Sequence, residues 1–170
     1  MQIAFFRIAA AALSAAALCF TTGVLAADKP QALATPTKPI ALEVFKSPTC
    51  SCCEKWVTQL DNQGFQTHVQ HPADLNQEKL KRKIAPRYQS CHTAVSVEGY
   101  IFEGHVPGPV IKRFLAEKPK GVIGLAVPGM PMGSPGMEMG DHFEPYDVLA
   151  LTADGASRVY AHIASPKDQL

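Results

Sequence analysis

The sequence predicts an α/β domain: one thioredoxin-like sheet with flanking helices, a Gly/Pro/Met-rich loop and a C-terminal hairpin. Three observations predict it. Short apolar runs alternate with stretches of helical periodicity between residues 40 and 117. A cysteine-dense turn, Cys50-Ser51-Cys52-Cys53, joins the first apolar run to the first helical stretch. Two strand-like runs flank Ala153-Asp154-Gly155 near the end of the chain.

The elements follow in order. Ile40-Ala41-Leu42-Glu43-Val44-Phe45 is a short apolar run that reads as a buried strand, broken by Ser47-Pro48-Thr49. From Cys53 to Gln63 the pattern is helical: Trp56, Val57 and Leu60 recur at i, i+1 and i+4, and Gly64 supplies a stop. Trp56 is expected in the core. Phe65 to Val69 reads as a second strand. Asp74 can cap a second helix from Leu75 to about Ile84, ended by Pro86. Ala94-Val95-Ser96-Val97 and Tyr100-Ile101-Phe102-Glu103 lie on either side of Glu98-Gly99 and predict a β-hairpin. Pro107-Gly108-Pro109 opens a third helix with the stripe Val110, Ile111, Phe114 and Leu115. Residues 119–145 are dense in Pro and Gly and are expected to form no regular element; such a loop in a compact domain is usually functional. Tyr146–Leu151 and Arg158–Ile163 form the closing hairpin.

Strand, cysteine turn, helix, strand, helix, hairpin, helix is the thioredoxin-like order. In that architecture the first strand delivers cysteines to the N-terminus of the first long helix. Unpaired N–H groups there favour the thiolate. Where such folds carry a cis-proline facing the cysteine turn, this chain has Ser90-Cys91-His92-Thr93. The order therefore brings Cys91 against Cys50, Cys52 and Cys53.

The N-terminus bounds the setting. Residues 1–26 hold one basic side chain, Arg7, no acid, an apolar stretch from Ile8 to Phe20, and the small-residue exit Val24-Leu25-Ala26. This is the layout of a cleavable secretory signal, which predicts an exported mature chain with no membrane anchor after cleavage. Cys19 is discarded with it. Residues 27–39, polar and carrying three prolines, read as a flexible leader, and 40–165 as a single domain. The whole chain has 16 Lys+Arg and 15 Asp+Glu, so loss of Arg7 leaves the mature chain balanced. A nucleic-acid partner would need a basic face to neutralise phosphates, and none is indicated. No later apolar run is long enough to span a membrane.

An exported chain with four cysteines could use them as disulfides. The clustering argues otherwise. Cys52 and Cys53 are adjacent, a vicinal bridge is strained, and loops closed within one turn constrain little of the unfolded chain. Cys50, Cys52, Cys53 and Cys91 read instead as a metal or redox site. Thiolates and thioethers are soft donors that select Cu(I), on one ion or as a cluster. Met130, Met132, Met137 and Met139 add thioethers in a loop where Pro131 and Pro135 forbid a helix. They read as copper contacts or as packing over the cysteine site. His92, beside Cys91, is either an imidazole ligand or a turn histidine bonded to backbone. His105 is a ligand or a support to one. His142 neighbours the methionine loop. His68, His71 and His162 have no sulfur neighbours and read as structural or surface groups.

The chain resembles the CopG-type family of exported, predicted metal-binding proteins linked to bacterial copper resistance. The residues that carry the resemblance are K-S-P-T-C-S-C-C at 46–53, S-C-H-T at 90–93, E-G-H-V-P at 103–107 and G-L-A-V-P-G-M-P-M-G-S-P-G-M-E at 124–138. The likeness spans about residues 41–163. It implies a thioredoxin-like domain, a thiolate-bound copper centre and copper redox activity in the periplasm, with copper ions and a copper efflux or copper-handling protein as partners. Enzymatic turnover as a copper oxidoreductase is left open. Two other readings stand beside it: a thiol–disulfide oxidoreductase using the C-x-x-C pair Cys50 and Cys53, and a passive copper chaperone.

Overall fold

The structure is a computed structural model and describes residues 38–170. The expected signal segment 1–26 and leader residues 27–37 lie outside the described residues. Seven strands form one mixed sheet: β1 (Ile40–Lys46), β2 (Phe65–Gln70), β3 (His92–Ser96), β4 (Ile101–Glu103), β5 (Val122–Ala126), β6 (Tyr146–Thr152) and β7 (Ser157–Ile163). Their spatial order is β2-β1-β3-β4-β5-β6-β7. The helices are α1 (Ser51–Asn62), α2 (Leu75–Lys81) and α3 (Gly108–Glu117).

The strand–helix–strand start, the central hairpin and the third helix match the thioredoxin-like order. β1 runs parallel to β2 around α1 and antiparallel to β3, and β3 pairs antiparallel with β4. Beyond this core the sheet continues through β5, parallel to β4, and the antiparallel β6 and β7.

The strand period of two divides the side chains between the faces. On one face Leu42, Val44, Ala94 and Phe102 meet Trp56 and Leu60 of α1 and Val110, Ile111 and Phe114 of α3. On the other, Ile101, Ala126 and Leu151 meet Ile84 and Tyr88. Trp56 is fully buried, and its Nε1–H donates to the Val106 carbonyl at 3.0 Å, so the one polar atom of the ring is satisfied inside the core. The stripe expected on α3 is confirmed at Val110, Ile111 and Phe114; Leu115 is only partly buried.

Several boundaries differ from the sequence reading. α1 begins at Ser51, not Cys53, because Cys50 acts as its N-cap and accepts from the Cys53 N–H. α2 is capped by Asp74, as expected, but it ends at Lys81. Lys83 turns left-handed at φ 60° and stops it, and Pro86 opens a short 3-10 turn, Pro86–Tyr88. The segment 119–145 is not wholly irregular: Val122–Ala126 forms β5. Gly124 is required there, since a Cβ would fall 2.0 Å from the Ile101 carbonyl oxygen on β4.

Candidate metal centre

The site lies at one end of the sheet, where four segments meet: the turn after β1, the residues before β3, the residues after β4, and the Pro/Gly loop between β5 and β6. Cys50, Cys52, Cys53 and Cys91 bring their sulfurs within 4.8 Å of one another. Cys91, His92 and His105 form a second group that meets the same limit and shares Cys91. The structure thus joins the cysteine turn to the distant loop, as the fold order required. Cys53 is fully buried, while Cys50, Cys52 and Cys91 are partly exposed. A cavity of about 680 Å³ opens beside Cys50, lined in part by Pro48, Thr49 and Glu54.

Cys50 and Cys53 are joined by a disulfide, and Cys52 and Cys91 are free thiols. Cys52 Sγ lies 3.5 Å from Cys50 Sγ. Burial, reinforced by charge at Cys52, pushes the Cys91 thiol up to about 12. Cys91 therefore keeps its proton and is a poor free nucleophile; a bound cation would displace that proton.

Both histidines are held as neutral bases. Burial keeps His105 below its ordinary value, and burial together with the nearby His105, Lys79 and Lys46 keeps His92 well below it. His105 Nδ1 lies 2.7 Å from the Pro135 carbonyl oxygen. That oxygen can only accept, so Nδ1 carries the hydrogen and Nε2 presents a lone pair, 3.0 Å from Cys91 Sγ. A backbone carbonyl on one nitrogen and a soft donor beside the other is the arrangement that orients metal-binding imidazoles. His92 lies in a strand and not in a turn. It opens β3, is fully buried, packs 4.3 Å from the Trp56 ring, and places Nδ1 3.2 Å from Cys91 Sγ. Its Nε2 is buried without a hydrogen-bond partner among the described residues, a cost unless a further group meets it.

The methionine loop reaches the site through its backbone. Pro135 orients His105, and Gly136 lies against the first turn of α1. At φ +87° a Cβ on Gly136 would meet the Cys52 carbonyl oxygen at 2.6 Å, so only glycine allows that approach. Met130 and Met139 are exposed, at 52% and 60%, and Met132 and Met137 are half-buried. Met132 and Met139 line a cavity with His142 whose walls contain no cysteine. His68, His71 and His162 are exposed, as expected.

Sequence reasoning missed the support beneath the site. Lys79 and Glu103 form an ion pair with side chains 2% and 0% exposed. Glu103 also accepts from the Thr93 hydroxyl at 2.5 Å and from the Ser90 N–H at 2.7 Å. Ser90 precedes Cys91, so this carboxylate anchors the backbone that carries the cysteine. Burial pushes the Glu103 carboxyl up, and Lys79, Thr93 and Ser90 pull it back only in part. The available signal was a charged residue at the end of a fully apolar strand, facing a lysine-bearing helix.

Fold and site together define a thioredoxin-like protein whose helix-capping cysteine turn faces a cysteine–histidine loop, with a soft donor set suited to a metal ion. A family model described as "Protein of unknown function, DUF411" matches residues 88–137, the span holding Cys91, His92 and His105. Two solved structures of the copper resistance protein CopG are similar over most of the chain. Form 1 is 39% identical with a TM-score of 0.68, covering 73% of this chain and 97% of that chain. Form 2 is 38% identical with a TM-score of 0.69, covering 73% of this chain and 98% of that chain. No curated protein sequence matches. The chain belongs to the CopG family of copper resistance proteins.

Proposed function

We propose that the chain is an exported, periplasmic copper-handling protein that holds Cu(I) on Cys50, Cys52, Cys53 and Cys91, with His92 and His105 completing the donor set, and that it takes copper through a redox change. The observation that carries this reading is the convergence of four sulfurs within 4.8 Å. Copper is the cargo. Thiolates are soft, the two imidazoles are neutral, and such a set prefers Cu(I) to hard cations. The relatives are copper resistance proteins, which supports copper over other soft metals. Export rests on the layout of residues 1–26. A copper efflux or copper-handling protein would receive the ion.

The disulfide gives the redox change a balanced form. Two thiolates closing to the Cys50–Cys53 disulfide release two electrons, which convert two Cu(II) ions to two Cu(I) ions. While the disulfide stands, Cys52, Cys91 and the two histidines hold the copper; an external two-electron donor that reopens it restores the four-thiolate set.

That same disulfide favours a second reading. A C-x-x-C bridge at the N-terminus of the first helix of a thioredoxin-like fold is the arrangement of a thiol–disulfide oxidoreductase. Stoichiometry separates the two. Under the copper reading, the reduced protein titrated anaerobically with Cu(I) takes up more than one ion. Under the exchange reading it turns over a model disulfide with Cys50 and Cys53 alone and needs no metal. Zinc bound alone, tetrahedrally on four cysteines, would mark a closed structural site and overturn the copper reading. Copper that binds with no redox turnover would mark a passive chaperone.

A further inference from the structure

We propose that Met132, Met139 and His142 form a second Cu(I) site, exposed and separate from the cysteine centre. It rests on the copper reading above and adds a place where the ion docks before thiolates hold it.

The backbone of the loop sets these side chains together. The Glu144 N–H donates to the Met132 carbonyl at 2.9 Å, and the Met132 N–H donates to Glu144 Oε2 at 3.1 Å. Met139 and His142 face each other in an antiparallel bridge, with the His142 N–H donating to the Met139 carbonyl at 3.3 Å. The pairs Met132–Glu144 and Met139–His142 fold the loop back on itself. Met132, Met139, His142 and Glu144 line one cavity of about 520 Å³ with Phe143.

The cavity is anchored to the domain. Gly133 sits at φ +82° against Phe143, where a Cβ would meet the ring at 2.6 Å. The Gln169 side chain donates to the Gly133 carbonyl at 3.0 Å, and Phe143 packs 6.1 Å from Tyr146. A fixed backbone therefore holds the donors in place.

Packing does not account for Met139. Met139 is 60% exposed and contributes little apolar burial. Two thioethers and an imidazole are soft and borderline donors, which favour Cu(I) over the hard cations that oxygen ligands bind. The Glu144 carboxylate at the same cavity offsets the charge of a monovalent cation. Neutral thioethers hold such an ion less firmly than thiolates do, so the two donor sets are ordered in affinity and the ion passes toward sulfur of higher charge.

Ag(I), a redox-inert soft monovalent ion, tests this on the intact reduced chain carrying 13C-labelled methionine methyl groups. Free thiols are titrated in parallel. With Ag(I) added beyond thiol saturation, the methyl signals of Met132 and Met139 and the ring signals of His142 should shift, while those of Met130 and Met137 stay in place. Met139→Leu, which conserves bulk, should abolish the Met132 shift and leave thiol consumption unchanged. Thiol consumption without methyl shifts overturns this site and leaves the cysteine centre standing. Methyl shifts without thiol consumption support this site and overturn the cysteine centre. Shifts spread evenly over all four methionines overturn the site as a defined one.

Discussion

Cys91 lies 38 positions beyond Cys53, yet its sulfur falls within 4.8 Å of the other three. Burial holds the proton on its thiol, so Cys91 is a poor free nucleophile, and a metal ion would have to displace that proton to bind. Cys91→Ser should lower copper stoichiometry in the anaerobically loaded protein while Cys50–Cys53 disulfide formation continues. Metal analysis and thiol counting check both, and unchanged copper content would remove Cys91 from the centre. At this scale the cysteines were legible, because three in four residues have no economical structural use. The histidines were not. From sequence His92 read as a ligand or a turn histidine and His105 as a ligand or a support, and only the Pro135 carbonyl, 30 positions from His105, fixes which nitrogen of that ring is free.

The elements that frame the site are joined by one buried ion pair. Lys79 on α2 and Glu103 at the end of β4 neutralise each other in the interior, and Glu103 also anchors Ser90. Breaking such a pair leaves an uncompensated charge, so Glu103→Gln should cost about 3–5 kcal/mol in denaturant unfolding. Replacing both with apolar residues, Lys79→Met with Glu103→Leu, should recover most of that stability, because the desolvation of both charges is also removed. An equally unstable double variant would show that the Ser90 and Thr93 hydrogen bonds carry the larger share.

On the surface of α2, hydrogen bonds from Lys81 and then Arg82 hold the Glu78 carboxyl below its ordinary value of 4.5. A depressed carboxyl stabilises the fold above its unfolded value. That contribution is lost as pH falls through the lower folded value. Glu78→Gln should therefore lower stability slightly near neutrality, flatten the acid limb of the stability–pH curve below about pH 4.5, and meet the parent curve at its acid end; this is read from unfolding midpoints across pH.

The elements hidden from sequence had physical reasons to be hidden. β5 carries Gly124 at its centre, which weakens strand patterning, but the close approach to Ile101 needs it. α2 ends early because Lys83 adopts a left-handed backbone, for which a lysine gives no warning.

Across the whole molecule, the central part of the sheet was legible because its apolar runs alternate with helical periods. The added strands β5 to β7 extend that sheet and brace the loop that covers the site. β6 and β7 were legible as a hairpin, and their docking through β5 was not. The loop's backbone touches both the Cys52 carbonyl and His105, so the cysteine turn, the histidines and the far edge of the sheet form one mechanical unit. Among the described residues no helix is long and apolar enough to cross a membrane. The most direct test is X-ray absorption at the copper edge on the reduced, anaerobically loaded chain and its Cys91→Ser variant. The account predicts Cu(I) with sulfur-dominated coordination at short Cu–S distances, and fewer copper ions in the variant. A nitrogen- and oxygen-dominated shell, identical in both proteins, would contradict it.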